Sequence, residues 1–193
     1  MSEDGELRHR LINLTGGQTV LSGAISGRAL LGALIAATPS VAAPTPAFLD
    51  FTDIQVATAS FLREAVIGFR DFARHSLENI YPAVANLAPS ITEELEFFVR
   101  SRGDVLWNCE LGTGENVINA RLIGELDPAQ RSTFEAAIER GAITAPELAA
   151  RFADQHIGPT AWNNRLSALA TKGLLVERKQ GKTKSFSPLL EMT

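Results

Sequence analysis

A change of pattern between Glu125 and Asp127 constrains this chain more than any other feature. Before it, short apolar runs alternate with segments of helical spacing; after it, capped helices follow one another and end in a hairpin. Alternating strands and helices imply helices layered on a sheet, whereas a run of capped helices does not. At about 150 residues per domain, 193 residues make one or two domains. The expected organisation is therefore an α/β layer domain over residues 1–125 and a small helical domain over 126–193. Charge divides at the same place. Residues 1–126 hold nine Arg, no Lys and fifteen Asp/Glu, a net −6, whereas residues 127–193 hold nine Lys/Arg against seven Asp/Glu, a net +2. All four lysines (Lys172, Lys179, Lys182 and Lys184) fall in the last 22 residues. This asymmetry implies two parts with different partners, one of them a polyanion.

In the first part, Leu7 to Leu14 reads as a strand ended by Gly16-Gly17. Gly27 to Ala37 reads as a helix, with Leu30, Leu31, Leu34 and Ile35 at helical spacing, stopped at Thr38-Pro39. Ala47 to Phe51 suits a strand buried on both faces. Ser60 to His75 carries Phe61, Ala65, Phe69 and Phe72 on one helical stripe. Ile80 to Leu87 reads as a strand in which Pro82 favours an edge or a strand start. Ile91 to Arg100 reads as a helix opened by Ser90, with Glu93 completing a capping box. Val105 to Leu111 and Asn116 to Ile123 read as strands joined across Gly112-Thr113-Gly114.

In the second part the helix signals are explicit. Asp127-Pro128-Ala129-Gln130 supplies an N-cap and a proline at the first helical position, and Gly141 ends that helix. Thr144-Ala145-Pro146-Glu147 is a capping box opening a short helix to Phe152. Gly158-Pro159 opens a third helix, closed by the basic last turn and glycine of Lys172-Gly173. Leu174 to Arg178 and Thr183 to Ser187 flank Gln180-Gly181, a hairpin signal. Three helices followed by a basic hairpin make a winged helix. Trp162, Leu166 and Leu169 fall on one helical stripe and face the core, with Trp162 a core residue rather than a stacking platform.

The stretch Ile143 to Pro188 resembles the winged helix-turn-helix of bacterial transcription regulators. Thr144 to Ala149 resembles the opening of that family's second helix, Trp162 to Leu169 its recognition helix, and Lys172-Gly173-Leu174-Leu175 the entry to the wing. Trp162 departs from the family, which has a smaller aliphatic residue there. The reading places Thr160, Asn163, Asn164 and Arg165 toward the outer face. Asn and Arg make paired hydrogen bonds to adenine and guanine edges in the major groove of double-stranded DNA. Arg178, Lys179, Lys182 and Lys184 surround the wing tip, where cations neutralise phosphates without specifying sequence.

Leu49 to Leu62, read Leu-Asp-Phe-Thr-Asp-Ile-Gln-Val-Ala-Thr-Ala-Ser-Phe-Leu, resembles the signature of STAS-like domains, which resemble antagonists of anti-sigma factors. The pattern is a buried strand ending in Asp, a short apolar loop, and a Ser-containing turn that begins a helix. The best match is the STAS-like subgroup of unknown function, over about residues 6–124. The resemblance implies an α/β layer fold that docks a regulatory protein. In the true antagonists a serine at the helix start is phosphorylated, and Ser60 is its positional match. Thr58 stands where the antagonists have Asp, and Phe61 where they have Gly. A helix cap is the alternative role for the Ser60 hydroxyl.

Other classes are excluded or lack residues. Apolar residues at 45% and charged residues at 21% exclude a disordered chain. Ala29 to Leu49 is uncharged, but Pro39, Pro44 and Pro46 interrupt it, so it reads as a buried helix, loop and strand rather than a membrane span. One cysteine, Cys109, excludes an internal disulfide and fits a cytoplasmic chain. His9, His75 and His156 lie in unrelated patterns, and Glu93, Glu94 and Glu96 read as a solvated helix face. No catalytic residue, metal site or cofactor is expected. The expectation is a non-enzymatic regulator whose first domain docks a partner and whose second binds DNA, with a second copy of the chain as a further partner. The alternative is a partner-switching adaptor in which both domains bind protein.

Overall fold

Five strands, in the order β1-β3-β5-β6-β7, form the sheet on which the first half of the molecule is built. They are β1 (Leu7–Arg10), β3 (Thr45–Asp50), β5 (Ile80–Ala85), β6 (Val105–Leu111) and β7 (Val117–Gly124). The first four run parallel and β7 returns antiparallel to β6. The computed structural model describes residues 7–112, 116–181 and 183–192. It divides into two units, one ending at Gly124 and the other spanning Glu125–Met192.

In the first unit, α2 (Ala24–Ala37) connects β1 to β3. A long helical stretch connects β3 to β5: α3 (Ala59–Leu62), a π-helical turn (Arg63–Ile67) and α4 (Gly68–Ser76). α5 (Pro89–Ser101) connects β5 to β6. Each crossover steps the same way along the sheet, so right-handed connections put all of these helices on one face. Leu30, Leu34, Phe61, Phe69, Ile91 and Leu95 accordingly share one core with Leu49, Val84 and Leu106 of the strands. Phe48, Tyr81 and Trp107 alternate with those strand residues and are buried as well. α2 approaches α3 closely: a Cβ on Gly27 would lie 2.8 Å from the Phe61 carbonyl oxygen.

Several local expectations give way here. The first strand stops at Arg10, and Leu11–Leu14 is a single helical turn, α1. Thr15 closes that turn through its backbone N–H and its hydroxyl, each donating to the Leu11 carbonyl at 2.9 Å, and Gly16 and Gly17 follow at φ 65° and 83°. Pro82 lies on a central strand, not an edge. β6 pairs with β5 at Val84 and Ala85, beyond the proline, so the missing N–H interrupts no rung between them. α5 begins two residues earlier than Ile91, with Ala88 as its N-cap and Pro89 in the first turn. Ser90 is therefore inside the helix, and its hydroxyl donates to the Gln55 carbonyl at 3.1 Å instead of forming a capping box with Glu93. A two-residue parallel ladder, β2 (Val20–Leu21) with β4 (Val56–Ala57), carried no sequence signal. Residues 113–115, in the expected turn after Gly112, lie outside the described residues.

The second unit contains α6 (Pro128–Arg140), β8 (Ile143–Thr144), α7 (Ala145–Arg151), a 3-10 turn (Ala153–Gln155), α8 (Pro159–Thr171), β9 (Leu175–Gln180) and β10 (Thr183–Pro188). Its sheet is antiparallel with order β8-β10-β9. Asp127 Oδ1 accepts the Gln130 N–H at 2.8 Å, and Gly141 takes φ 73° behind α6. Thr144 and Glu147 form the expected capping box. The Thr144 hydroxyl and N–H hold the Glu147 carboxyl below its ordinary pKa. Phe134, Leu148, Trp162, Leu166, Leu169 and Phe186 are all buried.

Candidate functional site

α8 owes its orientation to its apolar stripe. Trp162, Leu166 and Leu169 are fully buried, with Phe152 against the indole at 5.5 Å between centroids. Burying that stripe turns the remaining positions outward: Thr160 and Asn164 are exposed, and Asn163 and Arg165 are half-buried. Arg165 does not extend freely. Its guanidinium lies 4.9 Å from the Trp162 ring centroid, so the core indole also positions an outer-face cation. The indole Nε1 is buried without a hydrogen-bond partner. Gly158 caps α8 with no side-chain hydrogen bond. The donors of its first turn are thus not closed off by a side-chain cap.

The hairpin presents its cations less uniformly than their sequence proximity implies. Register pairs Lys184 with Lys179, Ser185 with Arg178 and Phe186 with Glu177. Alternation then puts Glu177, Lys179 and Lys184 on the face of the buried Phe186, and Arg178 on the other face. Lys184 Nζ is 2.8 Å from Glu177 Oε1, so its charge is already partnered. Arg178 and Lys179 are exposed. Lys182 lies outside the described residues.

Ser60 sits in the first unit, on the second residue of α3, two places past the position that caps it. Thr58 is the N-cap residue, and its hydroxyl lies 3.2 Å from that of Ser60. The expected cap role of Ser60 is therefore replaced by a hydroxyl pair. The cap itself comes from a distant helix: Glu94 Oε1 of α5 accepts the Ala59 N–H at 3.0 Å. Glu94 is thus not part of a merely solvated face. Val20 and Val56, paired on the β2–β4 ladder, expose apolar side chains, and Val56 precedes the Thr58 N-cap by two residues.

A polar cluster at the carboxyl ends of the parallel strands was not expected from sequence. Asp50 is fully buried yet accepts five hydrogen bonds: two from Arg8, at 2.8 and 2.9 Å, two from Thr52, and one from Asn86. Burial pushes its pKa up, but the bonds from Thr52, Asn86 and Arg8 outweigh that and hold it below the ordinary value. Asn86 Oδ1 in turn accepts the Leu111 N–H at 3.0 Å, and Arg10 holds Asp53 at 2.8 Å. Open α/β sheets place ligands at this end. Here the Asp50 oxygens are committed to ties among β1, β3 and β5, which gives the aspartate ending the buried strand a structural role. Among the described residues no group of three His, Cys, Asp or Glu side chains is placed to hold a metal ion. No described helix is long and apolar enough to cross a membrane.

No protein-family model, curated protein or solved structure matches the chain.

Proposed function

We propose that this chain is a non-enzymatic, bacterial-type regulator in which a winged helix spanning the second unit binds double-stranded DNA and a STAS-like first unit docks a regulatory protein. The observation that carries the DNA reading is the outer face of α8. Thr160, Asn163, Asn164 and Arg165 line it while the opposite stripe is buried, which suits a helix lying in the major groove. The order helix, short strand, helix, helix, hairpin, with β8 paired to β10, supports the same reading. Arg178 and Lys179 then position the protein on phosphates. Docking is assigned to the start of α3, where Thr58 and Ser60 lie beside the exposed Val56. Glu94 already supplies the negative charge at that helix start, so a phosphate on Ser60 would meet a carboxylate. That favours docking without a phosphoryl switch.

The second reading, an adaptor that binds only proteins, draws its support from the hairpin. Lys184 is paired with Glu177, and the net +2 of residues 127–193 is modest for a nucleic-acid binder. Titrating variants against matched and scrambled duplexes separates the two. Arg165→Ala is expected to cost about 1–3 kcal/mol on the matched duplex and to relax preference at one position. Arg178→Ala is expected to weaken both duplexes equally. A wild-type chain that binds neither duplex at low salt would favour the adaptor.

A further inference from the structure

Burial sorts the outward residues of α8 into a centre and two flanks. At 3.6 residues per turn, Thr160, Ala161, Asn164, Ala168 and Thr171 fall within an arc of about 100°, opposite the stripe of Trp162, Leu166 and Leu169. All of them are exposed except Ala168, which is half-buried. Asn163 lies toward one edge of this arc and Arg165 toward the other, and both are half-buried. The centre is therefore small, uncharged and rich in methyl groups, with the Asn164 amide in its middle. The Thr171 hydroxyl is spent on the Ser167 carbonyl, to which it donates at 3.0 Å. The Asn164 amide has no such internal bond among the described residues. Arg165 is the one charged residue from Pro159 to Thr171, and no carboxylate lies there.

We infer that α8 reads A·T pairs, with Asn164 bonded to an adenine and Ala161 and Ala168 packed on thymine methyls. An amide offers a donor beside an acceptor, the complement of adenine N7 and N6, whereas guanine presents two acceptors at the same edge. Thymine alone carries a methyl in the major groove, and the alanine side chain is a methyl that can meet it. Ala161 and Ala168 lie three residues before and four residues after Asn164, so they flank it along one ridge. Cytosine calls for a carboxylate to accept from its N4 amine, and α8 has none. Guanine has one reader on α8, Arg165, which lies off the ridge and so belongs to a neighbouring pair. Thr160, Ala161 and Asn164 are in the first two turns, the part of such a helix that reaches base edges. The inference rests on the DNA reading and narrows it, because of the two asparagines it makes Asn164 the one that specifies.

Selection by the full chain from a pool of random-sequence duplexes tests it. The retained sites should share a step of A·T pairs. On a retained duplex, Asn164→Ala should weaken binding about tenfold. The unfolding transition should not move, because that side chain is exposed. Replacing adenine by 7-deazaadenine removes the N7 acceptor, and should weaken the wild type but not Asn164→Ala. Uracil in place of thymine removes only the methyl, and should cost about fourfold for each pair contacted, a penalty that shrinks in Ala161→Gly. Retained sites made of G·C pairs, a uracil duplex bound as tightly as its thymine parent, or an Asn164→Ala chain as sensitive to 7-deazaadenine as the wild type would each overturn the inference and leave the DNA reading standing. A wild type that retains no duplex at low salt would overturn both, and the ridge would then be a surface for protein.

Discussion

The two units end their helices in different ways. In the second, α6 and α7 are capped by the side chain immediately before them, Asp127 and Thr144, and only α8, behind Gly158, has no such bond. In the first, α2, α3 and α5 have no side-chain bond from their own N-cap residue, and the first N–H of α3 is taken by Glu94, 35 residues away. A helix capped locally can begin before the fold exists, whereas one capped from afar waits for its neighbour. The first unit should therefore depend more on its tertiary contacts, and the second on its local ones.

The largest expected effect is at a site that both packing and binding need. Trp162→Ala should lower the unfolding free energy of the second unit by about 3–5 kcal/mol in a denaturant titration, and should release Arg165 from the ring that positions it. In the first unit the matching test is Gly27→Val. Its added atoms meet the Phe61 carbonyl and the Glu64 Cβ, and overpacking of this kind costs about 1–3 kcal/mol, read as a lowered melting temperature.

Acid should separate the units next. His9 is buried in the first unit, with Nε2 3.1 Å from the Thr38 hydroxyl and its ring edge-on to Phe69, and burial lowers its pKa from 6.5. The unfolded chain then binds a proton that the folded one refuses. Stability falls as the pH drops through 6.5 and goes on falling until the lower folded value is passed. Asp50, held below 3.8, adds a further loss as its carboxylate protonates at still lower pH. With Trp162→Phe, Trp107 alone reports on the first unit, and its fluorescence should show acid unfolding that His9→Phe weakens.

Caps give a smaller effect with a sharper contrast. Asp127→Ala and Glu94→Ala should each cost about 1 kcal/mol in the full chain. In isolated peptides, circular dichroism should show α6 losing helicity with Asp127→Ala, while a peptide spanning 58–76, which lacks Glu94, should be unstructured from the outset. Ser60→Ala should fall within about 0.5 kcal/mol, since among the described residues its hydroxyl meets only that of Thr58.

These differences also decide what can be read from the sequence. Asp127, Thr144-Glu147, Gly141 and Gly158-Pro159 mark their helices within four residues, so α6, α7 and α8 are legible, as is the buried stripe of α8. The strand over Ala47 to Phe51 is legible because its apolar run is bounded by turn residues. Ser90-Ile91-Thr92-Glu93 has the letters of a capping box, but Pro89 fits the first turn of a helix and draws the start two residues earlier. The Glu94–Ala59 cap and the ties from Asp50 to Arg8 and Asn86 join residues 35 to 42 apart, and local spacing carries no trace of them. The same holds for the hairpin cations: four lysines and arginines adjacent in sequence read as one patch, while strand alternation parts Arg178 from Lys179 and a cross-strand Glu177 engages Lys184.

The central claim, that the second unit contacts DNA, is tested most directly by titrating the full wild-type chain with double-stranded DNA at several salt concentrations. Binding should appear at low salt and fall linearly on a log–log plot, with each neutralised phosphate adding about −0.9 to the slope and Lys182→Ala reducing its magnitude by about 1. Absence of binding to any duplex at low salt would contradict it, and the outer face of α8 would then be a surface for protein.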